Sequence, residues 1–337
     1  MKKVTIKDVA KRSGLSVATV SAVINGLPIV SERAKGKIMD TIDELGYKPN
    51  SIARSLKKSK TLSLGIIVRD ITNPSYPELV SGIEEISWDN NYEVFLCNTE
   101  NDLEREERYI ENLISKQVDG VFITTAVHER NQVYSKLREN GIPYIYVNRK
   151  PQFLLEHEYF VGADNRAAVS LVVKHLKEMD ITEIAFFAGP QQYYTFSERL
   201  AGFKTSMENE GLTINEDWIF FNHEFYEEIG YQNTKKLLQS DRWPQCIFCS
   251  SDLVAFGVYQ ALMEEGISIP EQISLISIDN NRFDNLIGLS SVDLHNKEMG
   301  RKAGAIMLDL LNQREVPERE IYLEPHFIVR TSCKRKK

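Results

Sequence analysis

The chain has 337 residues, 42% of them apolar and 26% charged, the balance of a soluble globular protein of two or three domains. No apolar run reaches the ~20 residues of a membrane-spanning helix. The opening Met-Lys-Lys-Val-Thr-Ile-Lys-Asp lacks the unbroken apolar stretch of a secretory signal, so a cytoplasmic protein with no membrane partner is expected. The net charge of −7 hides an asymmetry. Residues 1–60 hold 13 Lys and Arg against 5 Asp and Glu, and the remainder is acidic. A small basic unit on an acidic body points to a polyanion-binding head.

The four cysteines are Cys97, Cys246, Cys249 and Cys333. Cys246 and Cys249 have C-x-x-C spacing, but they fall in a strand-like segment where positions three apart face opposite ways. No second such pair exists, so buried thiols are expected, with no metal site and no cofactor.

Thr5-Ile6-Lys7-Asp8 reads as a helix start, with Thr5 as cap and Asp8 reaching back. The helix stops at Gly14, and Ser16 caps a second helix from Val17 to about Ile24, closed by Asn25-Gly26. Val9, Leu15, Val20 and Val23 are spaced to pack between the two. A third helix opens at Ser31, carries Ile38, Ile42 and Leu45 on one stripe, and stops at Gly46. Three short helices around one small core make a helix-turn-helix headpiece.

The strings Val4-Thr5-Ile6-Lys7-Asp8-Val9-Ala10, Gly14-Leu15-Ser16-Val17-Ala18-Thr19-Val20-Ser21, Asn25-Gly26 and Glu44-Leu45-Gly46-Tyr47-Lys48-Pro49-Asn50-Ser51-Ile52-Ala53-Arg54-Ser55-Leu56 carry a family signature. They resemble the lactose/galactose repressor (LacI/GalR) family of bacterial transcriptional regulators, and the resemblance covers essentially the whole chain. It implies that the second helix lies in the major groove of double-stranded DNA, with Val17, Ala18 and Ala22 reading bases. Many relatives carry arginine where Ala22 stands. Its absence predicts readout through thymine methyls and DNA shape instead of a guanine contact. Thr5, Ser16, Thr19, Ser21, Asn25 and Ser31 are placed to bond phosphates.

Asn50 caps a segment from Ser51 to Lys58 that is too short to be a stable helix by itself in water. The resemblance makes it a hinge helix that folds on DNA. Ala53 and Leu56 lie on one face beside Arg54, and two Leu56 side chains of a homodimer wedge open a central base step in the minor groove.

From Thr61 onward, apolar runs alternate with amphipathic helices, the pattern of parallel sheets covered on both faces. More than ten strands suggest two sheets. The expected fold is therefore an all-α helix-turn-helix headpiece plus hinge helix, followed by an α/β core of two doubly wound parallel-sheet lobes resembling periplasmic sugar-binding proteins. The expected domains are 1–48, 49–60 and 61–337. Within the core, the N-lobe takes about 61–161 and 292–320, and the C-lobe about 162–291 and 321–332.

Ligands bind outside the carboxyl ends of such strands. Those ends carry Tyr76, Asn148, Tyr193, Thr195, Arg199, Phe225, Ser251 and Asp279. Arg199 offers paired donors and Asp279 paired acceptors, while Tyr76 and Phe225 offer faces for stacking on a sugar or base. The resemblance makes Arg199 and Asp279 effector contacts. No G-x-S-x-G, H-E-x-x-H, P-loop or G-x-G-x-x-G string is present, so no enzyme is expected.

The function expected is a regulator, a repressor by family default. Its hold on a near-palindromic operator answers to a small polar metabolite, most simply a carbohydrate. A phosphoprotein co-regulator and a purine or nucleoside effector are the alternatives. No long heptad segment follows the core, which favours a homodimer. If Leu56 is the minor-groove wedge, Leu56→Ala abolishes most operator affinity in gel-shift titrations while leaving the far-ultraviolet spectrum of the core unchanged; undiminished operator binding excludes the wedge.

Overall fold

The structure, a computed structural model, describes residues 4–24, 28–47, 60–127, 129, 132–221 and 226–333. It divides into two compact units, Met1–Thr61 and Leu62–Lys337. In the first, α1 (Ile6–Ser13), α2 (Val17–Ile24) and α3 (Glu32–Leu45) enclose Val9, Ala10, Val20, Val23, Ile38 and Tyr47. Gly14 and Gly46 end α1 and α3 in the left-handed conformation, with φ of 67° and 59°. The hinge expected over 49–60 lies outside the described residues apart from Lys60.

The second unit opens with β1 (Ser63–Val68), α4 (Ser75–Asp89), β2 (Glu93–Asn98), α5 (Leu103–Ser115), β3 (Gly120–Ile123), α6 (Ser135–Glu139), β4 (Tyr144–Val147) and β5 (Tyr159–Ala163). It continues with α7 (Asn165–Glu178), β6 (Ile184–Ala188), α8 (Tyr194–Asn209), β7 (Ile219–Phe221), α9 (Glu227–Leu237) and β8 (Cys246–Cys249). After these come α10 (Asp252–Glu264), β9 (Ser274–Asp279), α11 (Asp284–Ile287), β10 (Ser290–Asp293), α12 (Asn296–Leu311), β11 (Glu320–Leu323) and β12 (His326–Ile328).

Two six-stranded sheets result, in the orders β11-β5-β4-β3-β1-β2 and β12-β10-β9-β8-β6-β7. Every pairing is parallel except β10 with β12. The central strands β1, β3, β4, β6 and β8 are buried at every position, as apolar runs covered on both faces require. Cys246 and Cys249 do face opposite ways, since each packs into a different core cluster. Burial pushes the Cys249 thiol up, and Cys97 up to about 11, which leaves both thiols protonated.

The lobes are divided differently from the expected boundaries. Ser290–Asp293 pairs with β9 in the second sheet, and Ile321 pairs with Val161 in the first. Residues 292–293 therefore belong to the C-lobe and 321–323 to the N-lobe, with the last crossing between β11 and β12. Apolar alternation marks a strand but does not say which sheet accepts it; hydrogen-bond register decides that.

Helices α4 and α12 cross with backbone almost touching. A Cβ on Gly82 would lie 2.0 Å from the Lys297 carbonyl oxygen, and one on Gly300 would lie 2.2 Å from that of Leu79. Both positions exclude any side chain. Gly82→Val is expected to destabilise the core by about 3 kcal/mol through forced separation of the two helices, read as a lower urea midpoint by tryptophan fluorescence. All three tryptophans, Trp88, Trp218 and Trp243, lie in the second unit.

Candidate functional site

In the headpiece, Ser16 caps α2. The Thr19 N–H donates to Ser16 Oγ at 3.0 Å, and Thr19 Oγ1 lies 2.8 Å from the same oxygen. Ser16, Val17 and Ala18 stand exposed on that first turn, Val17 by 42%. The Asp8 carboxylate accepts from the Thr5 N–H at 2.8 Å and from the Thr5 hydroxyl at 2.7 Å, which fixes the start of α1. Ser31 is exposed at the start of α3, where its hydroxyl makes no capping bond. Thr19 and Ser21 are half-buried.

Ala22 departs from the expectation. It is only 6% exposed, buried with Val20 and Val23 of the same helix. Asn25, Asn50, Ala53, Arg54 and Leu56 lie outside the described residues.

In the core, a cavity at the carboxyl ends of the strands is lined by Tyr76, Asn148, Thr195, Arg199, Ser251 and Asp279. Six of the eight residues expected there are thus brought together. Tyr193 stands one layer back: its ring lies 4.1 Å beneath the Arg149 guanidinium, and its hydroxyl donates to Asn101 Oδ1 at 2.6 Å. Phe225 lies outside the described residues. Asn73, Arg149, Phe196 and Asn296 also line the cavity and were not singled out from sequence. Arg149 was within reach, because it adjoins Asn148 in the same strand-end turn.

Arg199 is buried and held on three sides. Its Nε donates to Asn165 Oδ1 at 2.8 Å, its Nη1 to the Ser250 carbonyl at 2.5 Å, and its Nη2 lies 3.6 Å from Asp279 Oδ1. Asp279 has φ of 132° and Asn148 φ of 64°, conformations that side chains other than glycine adopt at a cost and that cluster where function demands them. Asn148 Oδ1 and Ser251 Oγ are buried with no hydrogen-bond partner. Such atoms carry a desolvation cost that a ligand can relieve.

The cavity measures about 30 Å³, room for about one water molecule, so a larger ligand requires the lobes to part. Two larger hollows of about 420 Å³ lie elsewhere and carry one carboxylate between them, Glu227. The converging donors and acceptors are in the smaller cavity. Among the described residues no group of acids, cysteines and histidines is arranged for a metal, and no helix is long and apolar enough to cross a membrane.

Behind the cavity, Asp252 accepts from the hydroxyls of Ser277 at 2.5 Å and Ser291 at 2.9 Å, and from the backbone N–H and Nδ2 of Asn281 at 2.9 and 2.8 Å. This network ties α10 to β9 and β10. Burial raises its carboxyl against those bonds.

Comparison with known proteins places both units. Residues 5–50 match the model of the bacterial regulatory proteins of the lacI family, and residues 173–333 that of the periplasmic binding protein-like domain. The HTH-type transcriptional repressor PurR of Pasteurella multocida (strain Pm70) is 31% identical over 98% of this chain and 98% of its own. The chain belongs to the LacI family. Its fold is also that of the lac repressor dimer bound to operator and the anti-inducer ONPF, with TM-score 0.85, 21% identity, and 98% and 99% of the two chains covered. The transcriptional regulator CelR in complex with cellobiose matches with TM-score 0.74 and 25% identity over 98% of this chain and 100% of that one. As a LacI-family member the chain is a DNA-binding transcriptional repressor, not an enzyme. The family acts through operators, small-molecule effectors and dimers.

Burial, opposed by Arg199 and reinforced by Asp252, pushes Asp279 up to about 7. Burial and the Asp252 charge push Asp284 up to about 9. An unfolded Asp titrates near ~3.9. Between that value and the raised ones, the folded chain holds protons that the unfolded chain releases, so stability falls as pH rises. Urea midpoints followed by tryptophan fluorescence are expected to decline from pH 5 to pH 9. Asp279→Asn removes the part of the decline that ends near pH 7. A midpoint that rises over this range contradicts the assignment.

Proposed function

We propose that the chain is a cytoplasmic homodimeric repressor whose grip on a near-palindromic operator is set by a small polar metabolite, a sugar or sugar derivative, bound between the two core lobes. The observation that carries this reading is the cavity itself. Arg199 and Asp279 face each other in it at 3.6 Å, while Asn148 Oδ1 and Ser251 Oγ point in without partners. A ring bearing alternating donors and acceptors satisfies that set. Thr195 adds a further hydroxyl, and Tyr76 and Phe196 supply apolar walls. The cellobiose held by CelR supports the ligand class. A flat nucleobase is the second reading, favoured by the buried Tyr76 and Phe196 rings on the wall.

On DNA, the exposed Val17 and Ala18 meet thymine methyls in the major groove. Thr5, Ser16, Thr19, Ser21, Asn25 and Ser31 bond phosphates. Asn50, Ala53, Arg54 and Leu56 form the hinge helix in the minor groove. Dimerisation is supported by apolar surface that a monomer leaves wet: Phe95 and Leu96 on the edge strand β2, and Leu286, which is 79% exposed. Movement of the lobes to admit the ligand alters the spacing of the paired cores and so the ordering of the hinge helices.

The test is thermal unfolding of the full chain against sugars, sugar acids, sugar phosphates and nucleobases. A ligand at a hundred times its dissociation constant stabilises the core by ~2.7 kcal/mol. Asp279→Asn and Ser251→Ala are expected to lose that shift, and the same ligand is expected to change operator affinity in gel-shift titrations. A ligand that binds both variants as it binds the parent chain, or leaves operator affinity untouched, removes the reading.

A further inference from the structure

Helix α8 belongs to the lobe of the second sheet, yet the two tyrosines at its start reach into the lobe of the first. Tyr193 stands at the cap position with extended backbone, and Tyr194 opens the helix. The Tyr193 hydroxyl donates to Asn101 Oδ1 at 2.6 Å, in the turn between β2 and α5. Tyr194 packs against a buried cluster of the first sheet. Its ring meets Phe160 edge-on at 5.8 Å, and its hydroxyl lies 3.5 Å from that of Tyr322 on β11. Arg149 and Lys150, in the turn after β4, meet both rings. The Arg149 guanidinium lies 4.1 Å from the Tyr193 ring centre and the Lys150 amine 5.0 Å from that of Tyr194. Consecutive cations of one lobe thus sit on consecutive rings of the other.

Both sides of this contact are held in place. Lys150 is 6% exposed, and its amine bonds Glu320 and the Tyr322 hydroxyl within its own lobe. The Tyr193 carbonyl accepts from the N–H groups of Phe196 and Ser197, which ties Tyr193 to its helix. Asn101 has φ of 63°, and Glu100 before it 52°. That left-handed backbone is costly outside glycine, though less so for asparagine than for most residues. The turn is pinned by the Thr99 N–H on the Val68 carbonyl and by the Asp102 carboxylate, which accepts from the N–H groups of Glu104 and Arg105. A strained, pinned turn therefore presents Asn101 Oδ1 to the other lobe.

Thr195, Phe196 and Arg199 of the same helix line the cavity, which at about 30 Å³ admits little more than one water molecule. We propose that Tyr193 and Asn101 form a latch: their hydrogen bond, made outside the cavity, holds the lobes closed over it and sets how often the cleft opens to a ligand. Tyr193 carries the releasable bond because Asn101 is exposed, so water can replace it, whereas Tyr194 rests on a buried apolar cluster. A binding-competent state that is populated only in part weakens the apparent affinity of any ligand by that fraction. Two residues outside the cavity wall thereby tune the response to whatever the cavity takes.

The test places one thiol in the cavity of the full chain by Ser251→Cys and follows its alkylation by N-ethylmaleimide with peptide mass spectrometry. Ser251 is 3% exposed and the reagent is larger than the cavity, so reaction there requires the lobes to part. The four native thiols are buried in the cores of the lobes and report unfolding in the same sample. Adding Tyr193→Phe keeps the ring on Arg149 and deletes the hydroxyl. It is expected to speed alkylation at position 251 about five-fold, the factor one intramolecular hydrogen bond is worth, and to leave the native thiols unchanged. Asn101→Gly removes the acceptor and takes the left-handed backbone freely, so the same factor is expected. The two together are expected to be no faster than either alone, since both delete one bond. Asn101→Asp keeps an acceptor and is expected to stay near the slow rate.

An unchanged rate in Tyr193→Phe, or factors that multiply in the double variant, overturn the latch. Equal acceleration at the native thiols also overturns it, because the loss is then one of folding. The alkylation needs no effector. Its failure leaves the cleft standing as effector site, and a ligand screen without a hit leaves the latch standing.

Discussion

Parallel pairing is the constraint on which the core depends. When strands run the same way, their carboxyl ends fall on one edge of the sheet, and every connection must leave from that edge and return from the other. Two such sheets bring the segments after β1, β4, β6, β8 and β9 to a single cavity. Tyr76, Asn148, Arg199, Ser251 and Asp279 are up to two hundred residues apart in the chain, yet no loop needs an unusual length to gather them. The same constraint forces long crossovers, which become the helices covering both faces. That cover lets the central strands be apolar at every position.

The cleft is also where local rules are broken. Asp279 and Asn148 hold positive φ angles, three arginines are buried close together, and a carboxyl is lifted toward neutrality. None of these helps the chain fold. They persist because the surrounding framework is over-determined. Asp252 is bonded from β9, β10 and the turn after β9, and the α4–α12 crossing locks the N-lobe helices to within backbone contact. On the proposed reading, strain tolerated in a rigid frame is what a ligand relieves on binding, and that relief is free energy available to shift the lobes.

The repressor thus joins two units of opposite charge and opposite design. The headpiece is a minimal three-helix core with one exposed turn at the start of α2. Val17 and Ala18 stand exposed there, and in the proposed reading they offer methyl groups in place of long polar readers. The core spends most of its chain on scaffolding and concentrates its polar chemistry in a few strand-end turns. The hinge helix proposed between them is a physical means of passing a change in core spacing to the operator.

Much of this was legible in the chain itself. The headpiece helices were marked by Thr5, Ser16, Gly14 and Gly46, since caps and left-handed stops are local devices written in one or two residues. The strands were marked by apolar runs and the cleft by the polar residues that follow them, since period and strand end are also local. What the tertiary structure alone decided was non-local. Ala22 is buried because of what packs around it, not because of its place in the helix. Ile321 joins the first sheet and His326 the second because of hydrogen-bond register, which no stretch of sequence carries. Arg149 reads as an ordinary loop cation until Tyr193, Arg199 and Asp279 are placed around it. Charge balance in a cavity is a property of residues that meet only when the chain has folded, and it is there that the sequence ceases to speak for itself.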